Sequence, residues 1–277
     1  LQTTADSRLT FIGAGNMASA MIQGLIRAGI NSAQINVADP LADARARLAE
    51  LGVATFSDNN EAVEGAQAVV LAVKPQIARQ VVQSISALKP EQLLVSIAAG
   101  INLTSLAQWT SPQQAIVRCM PNTPALLGAG VSGLYANSYC DESQRALAER
   151  LLRSAGTTLW VPAESDLDAV TAVSGSGPAY FFLLMEAMID AGVGLGLDRA
   201  SATELTLQTA YGAALMAQQE NTNPAQLRQN VTSPGGTTAA ALDVMLNADM
   251  PGTIRTALQA AQKRAIDMAQ EFGGNPS

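Results

Sequence analysis

The hydrophobic rhythm of this chain changes partway along it. From Arg8 to about Val161, short β-branched or continuously apolar runs alternate with segments whose apolar residues recur at helical spacing. The strand-like runs are 10–13, 35–38, 68–72, 93–97, 115–118 and 159–161, and helical stretches such as 17–28, 41–51, 76–87 and 142–154 lie between them. Val69-Val70-Leu71-Ala72-Val73 is apolar without a break, as a strand covered on both faces should be. This alternation predicts a doubly wound parallel sheet. After Glu164 the strand signal stops, and 166–173, 178–195, 199–219, 224–230, 237–246 and 251–271 read as successive helices. We therefore expect an α/β domain over 1–164 and an all-helical domain over 165–277.

The first strand runs straight into Gly13-Ala14-Gly15-Asn16-Met17-Ala18. Gly13 suits a tight turn, Gly15 lets a pyrophosphate approach the backbone, and Ala18 keeps the helix near the sheet. The helix behind it carries Met17, Met21, Leu25 and Ala28 on one stripe and stops at Gly29. Its N-terminus offers unpaired N–H groups and a partial positive charge of about half a unit, favourable to phosphate. The second strand ends in Asp39, where a ribose-binding acid would sit. The spacing and its context point to a bound dinucleotide.

Composition narrows the classes. In 277 residues, 48% are hydrophobic and 14% charged, which describes a globular and rather apolar protein. Few charges on so many helices suggest that some helix surface is covered by another subunit. The net charge of −7 argues against nucleic acid or an anionic membrane as partner. There is no histidine, which removes histidine-based triads, metal ligands and general acids together. Two cysteines, Cys119 and Cys140, do not make a zinc site and suit a reducing compartment. Residues 1–8 lack the apolar core of a signal peptide, so a soluble, cytoplasmic protein without a metal is expected. The long apolar run 179–197 contains Glu186 and Asp190, and reads as a buried helix rather than a membrane span.

Ligands of such sheets bind beyond the carboxyl ends of the strands. There, Ala72-Val73-Lys74-Pro75 places a lysine within reach of a ribose or phosphate, with Pro75 suited to a first helical turn; a solvated loop lysine is the plain alternative. Ala98-Ala99-Gly100 leaves room for a cofactor, and ordinary packing accounts for it equally. Met120-Pro121-Asn122-Thr123-Pro124 is a loop stiffened by two prolines, in which Asn122 and Thr123 offer an amide and a hydroxyl to a nicotinamide carboxamide. In the helical half, Ser174-Gly175-Ser176-Gly177-Pro178-Ala179-Tyr180 and Asn230 to Thr238 each place hydroxyls and glycines before a helix, the arrangement of an anion site for a small carboxylate. No lysine or carboxylate stands out as a strong general acid or base. An imine arrives already protonated and needs mainly orientation, which can contribute on the order of 7–11 kcal/mol. A hydroxyl such as that of Thr238 would align its nitrogen.

These motifs taken together (11–17, 72–75, 95–100, 118–124, 174–180 and 231–238) resemble the pyrroline-5-carboxylate reductases along essentially the whole chain. The resemblance implies a Rossmann domain, a helical dimerisation domain, and dimers that in some members build decamers. It implies reduction of a cyclic imine carboxylate to proline with NADPH or NADH. Carried over by position, Gly13, Gly15, Asn16 and Met17 hold the pyrophosphate, Asn59 and Lys74 meet the adenosine ribose, and Asn122 and Thr123 lie on the nicotinamide side. Ser176, Gly177, Gly235, Gly236 and Thr237 hold the carboxylate, and Thr238 contacts the ring nitrogen, with the 231–238 loop supplied by the second subunit. Asp39, Val73, Pro75 and Ala99 complete the expected cofactor set. Asp39 is a departure, because many members carry a small or basic residue there; a carboxylate favours a 2′-hydroxyl over a 2′-phosphate, and Arg45 and Arg47 follow it. The alternative is another imine or hydroxyacid reductase of the same two-domain build. Such enzymes place a lysine early in the helical domain, which this chain lacks before Leu197.

Overall fold

The computed structural model describes residues 8–219 and 223–274. By contacts the chain divides into two units: one runs to Ser176 and takes in the chain from Ala261 onward, and the other is Gly177–Ala260.

The first unit runs β1 (Arg8–Ile12), α1 (Asn16–Arg27), β2 (Ile35–Ala38), α2 (Ala42–Ala49), β3 (Ala54–Phe56), α3 (Asn59–Val63), β4 (Ala66–Leu71), α4 (Pro75–Ser84), β5 (Leu93–Ser96), α5 (Leu103–Trp109), β6 (Ile116–Met120), β7 (Gly130–Ala136), α6 (Glu142–Arg153), β8 (Gly156–Trp160) and α7 (Asp166–Val170). The strands form one sheet in the order β3-β2-β1-β4-β5-β6-β7-β8. Pairing is parallel except between β6 and β7, where Val117 faces Ala136 and Met120 faces Gly133 in antiparallel register. The strand order reverses between β1 and β4, the crevice where such sheets bind ligands.

Alternation along each strand sorts the core onto two faces. Phe11, Val70, Val95 and Val117 pack with Met21, Ile22 and Leu25 of α1 and Leu147 and Leu151 of α6. Ile12, Val69, Leu71, Leu94 and Ile116 point the other way, onto Ala78 and Val82 of α4 and Leu106 and Trp109 of α5. Each large side chain buried this way contributes about 1.5–3 kcal/mol.

Two strands escaped the sequence reading. β3 is a three-residue edge strand whose Ala54 is exposed, and β7, Gly130-Val131-Ser132-Gly133-Leu134-Tyr135-Ala136, is diluted by two glycines. Gly133 is required where it stands, since a Cβ there would lie 2.8 Å from Val170 Cγ1.

A buried ion cluster ties β6 to the start of α7. The Arg118 guanidinium, 8% exposed, lies 3.0 Å from Glu164 and 3.7 Å from Asp168. Glu164 also accepts the Leu103 N–H at 2.7 Å, which anchors the head of α5. Burial pushes the Asp168 carboxyl above its ordinary range, against the pull of Arg118. After α7 the helix widens for one π turn, Thr171–Gly175, in which the Ser176 N–H donates to Thr171 O, five residues back, at 2.9 Å.

The second unit comprises α8 (Gly177–Gly194), α9 (Arg199–Gln218), α10 (Pro224–Asn230), α11 (Thr237–Asn247) and the beginning of α12 (Met250–Gly273). The end of α12 belongs to the first unit: Ser105 Oγ donates to Gly273 O at 2.8 Å, and Met268 abuts Gly100. The compact units are thus cut at Ser176 and within α12, whereas the change of sequence rhythm falls at Glu164. α8 and α9 approach closely at Gly192, where a Cβ would sit 3.2 Å from that of Ala202.

The helix expected at 179–197 is exposed over much of its surface in the single chain. The continuous run Asp166–Gly194 is long and apolar enough to cross a membrane, and 11% of its most apolar window is buried. Phe181, Phe182 and Leu183 are each more than 60% exposed. Consecutive apolar residues point around the whole helix, so one neighbouring helix cannot cover them all.

Candidate active site

Beyond β1 the chain turns at Gly13 with φ +102°, and its N–H donates to Ala38 O at 2.8 Å. A Cβ at Gly13 would lie 2.6 Å from the Ala72 carbonyl oxygen, so glycine is required for the β1 and β4 loops to meet. Gly15 caps α1 without a side-chain acceptor, and a Cβ there would project into open space. The N–H groups of the first turn of α1 therefore lack helical partners and face a cradle free of side-chain bulk. α5, by contrast, is capped by Asn102, and α6 by an Asp141–Gln144 capping box. An uncapped terminus over an open glycine fits a pyrophosphate.

This terminus opens on a cavity of about 260 Å³, lined by Gly15, Asn16, Met17, Val73, Lys74 and Ala99, all expected from the sequence, together with Ala72, Ile97, Met120 and Pro121. Pro75 begins α4 directly behind Lys74. Asn59 begins α3 behind its cap, Asp58, and does not line this cavity.

Two of the expected residues also bond within the chain. The Asp39 carboxylate is anchored by backbone: one oxygen accepts the Ala14 N–H at 2.8 Å and the other the Leu41 N–H at 2.9 Å, which leaves each oxygen a further lone pair. Arg45 folds back and donates to the carbonyls of Asp39 (2.6 Å) and Pro40 (3.0 Å). The acid at the end of β2 braces the glycine turn. Asn122 is 8% exposed; its Oδ1 accepts the Val131 N–H at 2.9 Å and its Nδ2 donates to Ser174 O at 3.1 Å. Its amide therefore joins the loop after β6 to β7 and the π turn. Thr123, next to it, is exposed. The Asn122–Ser174 pair was missed, although Pro178 signalled it: a proline offers no N–H to the carbonyl four residues earlier.

At the other candidate loops, the Ser174 hydroxyl is spent on Val170 O at 2.9 Å. Ser176 is half-buried, and Gly177 opens α8. Gly235 has φ +71° with open space at its Cβ position, and Gly236 caps α11 without a side-chain acceptor. The first bond of that helix runs from the Ala240 N–H to Gly236 O. The N–H groups of Thr237, Thr238 and Ala239 thus lack helical partners, and α11 presents a second uncapped terminus with glycines before it.

A Rossmann-like sheet with an open glycine cradle, followed by a helical unit, is the build of dinucleotide-dependent oxidoreductases. Residues 8–100 match the family described as NADP oxidoreductase coenzyme F420-dependent, and residues 164–268 match pyrroline-5-carboxylate reductase dimerisation. The chain is 52% identical to the pyrroline-5-carboxylate reductase of Pseudomonas aeruginosa over 96% of its own length and 98% of that protein's. A solved pyrroline-5-carboxylate reductase from Coxiella burnetii superposes with a TM-score of 0.90 at 40% identity, covering 95% of this chain and 99% of that one. The Plasmodium falciparum pyrroline carboxylate reductase, solved with NADP bound, gives 0.86 at 32% identity over 96% and 100%. This chain belongs to the pyrroline-5-carboxylate reductase family.

Proposed function

We propose that this protein reduces 1-pyrroline-5-carboxylate to L-proline, the last step of proline biosynthesis, with NADPH or NADH. The observation that carries this reading is full-length identity to such reductases combined with an uncapped, glycine-led helix terminus in each unit. When bound, the reduced nicotinamide supplies the hydride. The turn Gly13–Met17 holds the pyrophosphate by backbone N–H groups, with Asp39 bracing the turn from behind. Lys74 and Asn59 serve the adenosine ribose region, and Val73, Pro75, Ala99 and Thr123 border the cofactor.

Ser176, Gly177, Gly235, Gly236 and Thr237 bind the imine's carboxylate, and the Thr238 hydroxyl bonds the ring nitrogen and orients the C=N carbon. The chain holds no histidine, and α8 holds no lysine. An iminium needs no strong acid, whereas a ketone does. That difference favours the imine over the hydroxyacid alternative.

The exposed Phe181, Phe182 and Leu183 are covered by a second copy in a homodimer, whose 231–238 loop completes the site, and a decamer of such dimers is the larger assembly the resemblance allows. Cys119 and Cys140, both buried and unpaired, suit a cytoplasmic enzyme.

The test is to follow NADPH and then NADH absorbance with purified protein and 1-pyrroline-5-carboxylate. Rapid oxidation with either is expected, and none with either, despite dinucleotide binding, refutes the reading. Thr238→Ala should cut turnover while leaving dinucleotide affinity unchanged; unaltered turnover removes Thr238 from the mechanism.

A further inference from the structure

The π turn between α7 and α8 has an unusual dependence on the loop after β6. In a regular helix the Ser174 carbonyl would accept from residue 178, but Pro178 has no N–H. Asn122 Nδ2 supplies that donor from outside, at 3.1 Å. The amide is itself fixed, because its oxygen accepts the Val131 N–H at 2.9 Å and the residue is 8% exposed. Met120, two residues before it, presses on the same turn: a Cβ on Gly175 would lie 2.6 Å from Met120 Cε. The turn is closed by the Ser176 N–H bonding to Thr171 O. Met120 also lines the cavity at the glycine cradle. One short loop thus borders the dinucleotide cavity and sets the backbone of the turn that ends at Ser176.

We propose that Asn122 is a positioning residue for substrate: its amide holds the Ser174–Ser176 turn against the end of β6, so that Ser176 meets the imine's carboxylate from a fixed place. This rests on the reductase reading above. Asn122 then acts on carboxylate recognition through Ser174, not on the dinucleotide.

The experiment uses the full-length enzyme and its Asn122→Asp, Asn122→Ala and Asn122→Ala/Pro178→Ala variants. It reads KM for 1-pyrroline-5-carboxylate, L-proline affinity by calorimetry, and NADPH affinity by fluorescence. Asn122→Asp keeps the acceptor for Val131 but loses the donor to Ser174. It should raise the imine KM and weaken L-proline by about tenfold, with NADPH affinity changed by less than about twofold. The double variant should recover part of the loss of Asn122→Ala, because residue 178 regains an N–H for Ser174. If Asn122→Asp does not fold, Asn122→Gln, which keeps the amide but displaces it by a methylene, should give the same split. Loss of NADPH affinity with unchanged imine KM would overturn the proposal and return Asn122 to the nicotinamide. A double variant no better than Asn122→Ala would overturn it too. A wild-type enzyme that leaves NADPH and NADH unoxidised sinks the reductase reading instead, so the two failures are distinguishable.

Discussion

Asp39 offers the sharpest test of how the cofactor turn is built. Its two carboxylate oxygens accept one N–H group each, from Ala14 at 2.8 Å and Leu41 at 2.9 Å. Asp39→Ala removes both acceptors. Ala14 is 2% exposed, so its N–H is left buried without a partner, at a cost of about 1–3 kcal/mol. Leu41 is exposed, and water replaces the carboxylate there at a cost of about 0.5 kcal/mol. The sum, about 2.5 kcal/mol at the midpoint, corresponds to a fall in Tm of about 5–10 °C for a domain of roughly 150–250 residues. Asp39→Asn should fall between, because an amide oxygen serves one N–H and its NH2 opposes the other. Thermal unfolding without dinucleotide reads the stability, and titrations with NAD+ and NADP+ read the turn. Both affinities should weaken together, since both dinucleotides share the pyrophosphate cradle. The reasoning is refuted if Asp39→Ala melts with the wild type and weakens NAD+ alone, for then the carboxylate reads the ribose and does not brace the turn.

Other consequences follow from burial and charge. Leu183→Glu, at a position 67% exposed in the single chain, should yield monomers in sedimentation and abolish turnover; a persistent active dimer would place the interface elsewhere. Burial pushes the Cys119 thiol up and the Cys140 thiol to about 11, so neither should react with a thiol reagent at pH 8 until denaturant is added, when both react. The Glu149 carboxyl is held below its ordinary range, first by the Trp160 indole N–H at 3.2 Å and then by Arg153. A depressed carboxylate pKa gives stability that is present above the unfolded value and lost as pH falls through the folded one. The stability gap between wild type and Glu149→Gln should therefore be full above pH 4.5 and close on the acid side, as read from urea midpoints.

Much of the architecture was legible because it is local. Continuous apolar runs marked the inner strands, and the glycine spacing marked the one turn where a Cβ at Gly13 would strike Ala72. The cavity lining came through for the same reason: Gly15, Asn16, Val73, Lys74 and Ala99 all sit at strand ends, where the topology of parallel sheets puts ligands. β7 was not legible, because its burial comes from pairing with β6 and β8 and not from its own glycine-broken pattern. The last stretch of α12 likewise joins the first unit through Ser105 and Gly100, contacts more than 160 residues apart in sequence.

The amino-acid sequence by itself determined the alternation of strands and helices, the glycine turn and the two hydroxyl-rich loops, since each depends on residues adjacent in the chain or one helical turn apart. Tertiary structure alone decided which groups Asp39 and Asn122 bond. A hydrogen-bonding side chain is committed by whichever unpaired N–H or carbonyl lies within about 3 Å, and that neighbour is set by folding rather than by sequence position. For Asp39 it is Ala14, in the turn after the neighbouring strand; for Asn122 it is Ser174, whose carbonyl a proline had left without its helical donor.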